Sequence, residues 1–143
     1  MRRVVLDTVI FVRSLINPHS NCGRIVFAHT DRYRLFVSEM VVQEVIEVLN
    51  RPELQRKFRR ITGLDARRVI DLLGEAELVE VGQPSPISRD PSDDKFLATA
   101  AAAEAEYLVT EDADLLIIQQ FEGTTILNAA AFLEELEASL SER

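Results

Sequence analysis

Acidic side chains gather in three short segments of this chain: Asp7 in VVLDT, Asp90, Asp93 and Asp94 in RDPSDDKF, and Asp112 and Asp114 in TEDADLL. Carboxylates are hard oxygen ligands. Drawn together from distant segments, they suit Mg²⁺ or Mn²⁺, and such an ion supports hydrolysis of a phosphodiester. The only histidines, His19 and His29, are neither paired nor near these segments, which argues against zinc. Each acid also has a purely structural reading. Asp and Ser favour helix N-termini, where they cap free N–H groups and meet the positive end of the macrodipole. Asp7 reads equally as the cap of a helix over 8–17, and Asp112, in T-x-D before an apolar run, as another helix start. Asp93 reads as a helix-terminal charge and Asp90 as a loop residue.

The elements that must position these acids alternate along the chain. VVLD (4–7), RLFVS (34–38), ELVEV (77–81), EYLVT (106–110) and TTIL (124–127) have the short β-branched character of strands. VVLD and YLVT are nearly continuous apolar runs, as expected of parallel strands covered on both faces. Between them, Val42, Val45, Ile46 and Leu49 make an i, i+3, i+4, i+7 stripe over 39–50, with Ser38 at the N-cap position and Pro52 beyond the end. Residues 65–75 and 92–105 are further helices, Asn128 caps a last one over 129–139, and GQPSPISRDP (82–91) is a surface loop. The pattern predicts one α/β domain over 1–143, three layers deep, around a mostly parallel, five-stranded, Rossmann-like sheet. Such sheets bind ligands beyond the carboxyl ends of their strands, at the topological switch point. Asp7 ends the first strand, Asp112 follows YLVT, and Asp94 opens the helix leading into it. Three acids far apart in sequence are thus expected at one sheet edge.

Composition narrows the class. The 143 residues carry 24 acidic against 16 basic side chains, a net charge of −8, which argues against a protein that coats DNA generically. A metal nuclease is compatible with that balance, because its acids sit at the centre and its cations on a rim. Arg51, Arg56, Lys57, Arg59, Arg60, Arg67 and Arg68 form one basic block, which reads first as a solvated helical face. The lone Cys22 cannot form an internal disulfide and points to a reducing compartment. No apolar run approaches the roughly 20 residues of a membrane span. MRRVVLD reaches Asp7 too soon for a signal peptide, so a cytoplasmic location is expected.

Four blocks in order, VVLDTVIFVRSL at 4–15, LFVSEMVVQEVIEVLNRP at 35–52, RDPSDDKFLATAAAAEAEYLVTEDADLL at 89–116 and TTILNAAAFL at 124–133, resemble a PIN domain, the nuclease fold of VapC-like toxins. The likeness covers essentially the whole chain, and the third block is its most distinctive part. It implies a Mg²⁺- or Mn²⁺-dependent ribonuclease, the toxin of a toxin–antitoxin pair, acting on RNA as a homodimer and inhibited by a cognate antitoxin. Carried over, the family's acidic quartet falls on Asp7, Glu44, Asp94 and Asp112 as metal and catalytic residues. Thr8, Ser38, Asp90, Asp93, Thr110 and Asp114 match neighbours that order the acids or touch substrate. By helical pattern alone Glu44 reads as solvated, so its place rests on the resemblance. One departure stands out: Val9 replaces the Asn or Ser common after Asp-Thr. Lys95 and Arg89 read as phosphate contacts or as solvent-facing ion pairs.

Rival classes fare worse. A haloacid-dehalogenase-type phosphatase needs a second aspartate where Val9 stands, and a phospho-receiver domain needs a lysine after a late strand, which TTIL lacks. A PIN-like module that binds RNA or a partner without cleaving is the nearer alternative, and Val9 favours it.

Overall fold

The computed structural model describes the backbone of residues 1–57, 63–82 and 91–141, and the side chains of 1–54, 66–82 and 92–138. Arg89, Asp90, the loop over 83–90, and the side chains of Arg56, Lys57, Arg59 and Arg60 lie outside the described residues.

Five expected strands form, and a sixth joins them. β1 (Arg2–Leu6), β2 (Tyr33–Val37), β3 (Glu77–Leu78), β4 (Tyr107–Val109), β5 (Gln120–Phe121) and β6 (Thr124–Leu127) make one sheet in the order β3-β2-β1-β4-β6-β5. All neighbours pair in parallel except β5 with β6, which are antiparallel. The sheet is therefore six-stranded rather than five-stranded. The extra strand comes from a two-residue hairpin whose central residues, Glu122 and Gly123, both have positive φ (47° and 84°), matching the right-handed twist of the flanking strands.

The expected helices appear as α1 (Thr8–Ile16), α3 (Glu39–Leu49), α5 (Gly63–Glu75), α6 (Asp94–Ala103) and α8 (Ala129–Ser141). Two shorter ones escape the sequence pattern, α2 (Asn21–Gly23), which runs into a π-helical turn at Arg24–Ala28, and α4 (Pro52–Lys57), whereas α7 (Ala113–Leu116) begins at the helix start read at Asp112. Pro52, which ends the expected α3 stripe, opens α4. At a first helical position its missing N–H costs nothing. Ser38 caps α3 through Val41 N–H at 3.4 Å, and Asn128 Oδ1 accepts Ala131 N–H at 2.9 Å at the start of α8.

Helices cover both faces of the sheet. On one, Arg3 donates to the Ala103 carbonyl of α6 at 2.6 and 2.9 Å and lies 4.3 Å from the Phe36 ring. On the other, Phe132 of α8 meets Tyr33 edge-on at 5.7 Å and Tyr107 at 5.8 Å. Val4, Val5, Leu6, Leu108 and Val109 are buried between, each stabilising the fold by roughly 1.5–3 kcal/mol relative to exposure. No helix of the described residues is long and apolar enough to cross a membrane.

Phe132 touches two strands from one helix and is fully buried. Phe132→Ala is expected to lower unfolding free energy by about 3–5 kcal/mol. Urea denaturation checks this as a fall in midpoint at constant slope.

Candidate active site

Asp7 continues the pairing of β1 by one residue, its N–H donating to Val109 O at 3.0 Å. β2 lies on one side of β1 and β4 on the other, so Asp7 stands at the carboxyl end of the sheet where strand order reverses. It occupies the N-cap position of α1, yet its side chain makes no capping hydrogen bond. The carboxylate instead accepts the Thr110 hydroxyl at 2.6 Å. The same Thr110 oxygen accepts Asp112 N–H at 3.0 Å. One buried hydroxyl thereby sets both acids.

Asp112 does cap: its Oδ1 accepts Asp114 N–H at 2.8 Å at the start of α7. It also lines an open cleft of about 910 Å³ together with Asp7, Glu44 and Asp93. Carboxylate oxygens of Asp93, Asp112 and Asp114 lie within 4.8 Å of one another, the grouping found among the described residues. Asp93 holds the N-cap position of α6 without a capping bond from its side chain. Asp94 follows as the first residue of α6. It is buried and is not among the cleft-lining residues. The structure thus brings Asp7, Glu44, Asp93 and Asp112 to one cleft, with Asp114 within 4.8 Å of the Asp93 and Asp112 carboxylates, whereas Asp94 is buried and does not line it.

Glu44 is not solvated. Thr8 donates its hydroxyl to Oε2, and Lys95 Nζ reaches Oε1 at 2.7 Å, with both charged side chains 24% exposed. The buried face of α3 explains the change. It centres on Val41, Val45 and Leu49, leaving Ile46 exposed, and is therefore rotated toward Glu44 relative to the expected Val42–Ile46 stripe. Met40, Gln43, Glu44, Glu47, Val48 and Arg51 then form a second stripe at helical spacing along the cleft, facing Val9, Val12, Arg13 and Ile16 of α1. Ser38, buried at the head of α3, bonds Thr99 of α6 at 2.7 Å. Thr99 spends its proton on the Lys95 carbonyl at 2.7 Å, so Ser38 is the donor to it. Ser38 and Thr99 therefore join α3 to α6 beneath the Glu44–Lys95 pair.

Burial is the largest influence on the Asp7 carboxyl and raises its pKa from the ordinary 3.8. The Thr110 hydroxyl pulls it down, the negative charges of Glu44 and Asp112 push it up, and the net shift is upward. Nearby cations are unevenly committed. Arg51 grips Glu47 at 2.9 and 3.0 Å, whereas Arg13 stands 4.0 Å from Glu111. Of the basic block, Arg67 pairs with Asp71 at 3.3 Å and Arg68 stacks 4.4 Å from the Phe27 ring. The solvated reading fits Arg67, but Arg51 faces the cleft. Thr99, Arg13 and Glu111 were not legible as site residues. The one available signal was the Val9–Val12–Arg13–Ile16 spacing, which marks a face without naming its use.

The donor set is all oxygen, so the residues present fit a hard divalent cation. A PIN-domain family model matches residues 3–114. No curated protein sequence matches the chain. Two solved structures are similar in fold. PAE2754 from Pyrobaculum aerophilum has 15% identity and a TM-score of 0.55, over 96% of this chain and 90% of that one. VapBC2 from Rickettsia felis, bound to a DNA fragment from its promoter, has 15% identity and a TM-score of 0.55, over 88% and 98% respectively. The family model spans most of the chain and both ends of the acidic constellation, and the parallel sheet with its carboxylate cleft agrees with it: the chain belongs to the PIN-domain family.

Proposed function

We propose that this chain is a divalent-metal-dependent endoribonuclease, the toxin of a toxin–antitoxin pair. The observation that carries the reading is the group formed by Asp93, Asp112 and Asp114, of which Asp93 and Asp112 line a cleft that also holds Asp7 and Glu44. Asp93, Asp112 and Asp114 would hold Mg²⁺ or Mn²⁺, with Asp7 beside them. When bound, the ion lowers the pKa of a water ligand and neutralises phosphoryl oxygens. The protein's part is orientation. Thr110 fixes the Asp7 and Asp112 carboxylates, Glu44 holds the Lys95 ammonium in the cleft, and Arg13 offers a cation for the RNA backbone. A carboxylate of the group would take the proton of the attacking water, whose oxygen bonds to phosphorus as the P–O bond to the ribose oxygen breaks and that oxygen takes a proton from solvent.

The partner reading rests on likeness to VapBC2 and on the cleft's charge. An antitoxin that inserts an Arg or Lys among these acids would close the site by charge-assisted hydrogen bonds. The active form is proposed as a homodimer, and light scattering of the purified chain would measure this.

Asp112→Asn is expected to lower Mg²⁺-dependent RNA cleavage by roughly 10²-fold or more while the protein stays folded. RNA binding without any cleavage by the unaltered chain would make it a binding module instead.

Asp93 and Asp94 have separable roles. Mn²⁺ titration calorimetry is expected to show Asp93→Asn weakening affinity by about tenfold or more, with Asp94→Asn closer to the unaltered protein. The opposite order would make Asp94 the ligand.

Folding raises the Asp7 pKa, so the native state holds that proton more tightly than the unfolded chain. Stability from this group is full below the ordinary carboxylate range and is lost as pH climbs through the raised value. In chelator at pH 7, Asp7→Asn should therefore melt higher than the unaltered protein, and the two curves should converge as pH falls below about 4. A lower melting temperature for the variant at pH 7 would contradict this.

A further inference from the structure

A second cavity, about 370 Å³, adjoins the acidic cleft and shares Arg13 and Ile16 with it. No step of the proposed hydrolysis uses it. The segment following β4 divides the two spaces. Thr110 and Asp112 turn toward Asp7 and the cleft, whereas Glu111 between them turns toward α8 and lines the second cavity. Its Oε1 accepts Ala129 N–H at 3.0 Å and its Oε2 lies 4.0 Å from Arg13. The Glu111 side chain is only 21% exposed, so this carboxylate is held in place. Asn21 and Asn128 line the same cavity, with Cys22 buried in its wall.

We propose that this cavity receives the base of the RNA nucleotide beside the scissile phosphate and that Glu111 selects guanine. The proposal rests on the ribonuclease reading above. The volume lies within the roughly 300–1,000 Å³ of ligand pockets. Single-stranded RNA is read on the hydrogen-bonding edges of unstacked bases. Guanine alone presents two adjacent donors there, N1–H and N2–H, which the carboxylate of Glu111 can accept while still holding Ala129. Adenine, cytosine and uracil each place an acceptor against it. Asn128 uses its Oδ1 to cap α8, leaving its amide N–H groups for guanine O6. Geometry supplies the spacing. Glu111 and Asp112 are consecutive, about 3.8 Å apart at Cα. Because the two residues line adjoining spaces, a nucleotide crossing the shared Arg13 lip would have its phosphate on the Asp112 side and its base on the Glu111 side.

The test uses the full chain in chelator, with guanosine and adenosine monophosphates as probes followed by NMR. Guanosine monophosphate should shift the Asn21 and Asn128 side-chain amides and bind about tenfold or more tightly than adenosine monophosphate. Glu111→Gln should melt at nearly the same temperature, since its Oε1 can still accept Ala129 N–H, and should lose the preference. Cleavage with Mg²⁺ of short RNAs differing in one base should favour guanine at the cut by a similar factor, and that bias should disappear in the same variant. Equal binding of the two nucleotides, or a preference that survives Glu111→Gln, overturns the proposal; the comparison in the unaltered chain decides even if the variant fails to fold. Guanosine binding by a chain that cleaves no RNA would leave the subsite standing and remove the nuclease reading. Cleavage indifferent to the neighbouring base would do the reverse.

Discussion

The parallel pairing of β1 with β4 is the constraint on which the site depends. Val5 opposite Leu108 and Leu6 opposite Val109 fix the register, and the Asp7 N–H extends it by one more bond to Val109 O. Only in that register does Thr110 come to stand beside Asp7, so that its hydroxyl donates to one acid and accepts from the backbone of another. A one-residue slip would turn these side chains to the other face of the sheet. The buried apolar residues of both strands exclude such a slip at a cost of several kcal/mol. Hydrophobic pairing thus places carboxylates that would otherwise repel one another.

Much of this was legible before any coordinates. The apolar runs at VVLD and YLVT are strands because both faces are covered, and the alternation with helices dictates a parallel sheet with its ligand edge at the switch point. Asp7 and Asp112 follow from that reasoning. Glu44 does not, because a helical wheel centred on Val42, Val45, Ile46 and Leu49 turns it outward. The wheel's centre is set by what α3 packs against, and tertiary contact rotated it toward Val41. β5 was hidden for a different reason. Two residues carry no period, and its only trace was a glycine able to adopt positive φ in the turn. The distinction between Asp93 and Asp94 was beyond the pattern as well, since adjacent acids at a helix start suit the macrodipole equally and only the fold decides which of them lines the cleft.

The cleft's charge is divided into two ends, and this bears on which acids can hold a cation. At one end Glu44 has both oxygens engaged, by Thr8 and by Lys95, and the Ser38–Thr99 bond keeps α3 and α6 in the relation that lets Lys95 reach it. Each Glu44 oxygen keeps a free lone pair, but a metal ion bound there would be repelled by the Lys95 ammonium 2.7 Å from Oε1. At the other end Asp93, Asp112 and Asp114 bring three carboxylates within 4.8 Å. At an effective dielectric near 20, each such contact costs roughly 3–4 kcal/mol before solvent screening. That repulsion is relieved most by a divalent ion placed among the three, and least by one placed at Glu44, where Lys95 already supplies the charge. A single ion held as proposed at the Asp112 end would leave Lys95 as a fixed positive charge at Glu44. In that arrangement an incoming phosphate would meet two cations instead of a wall of acids.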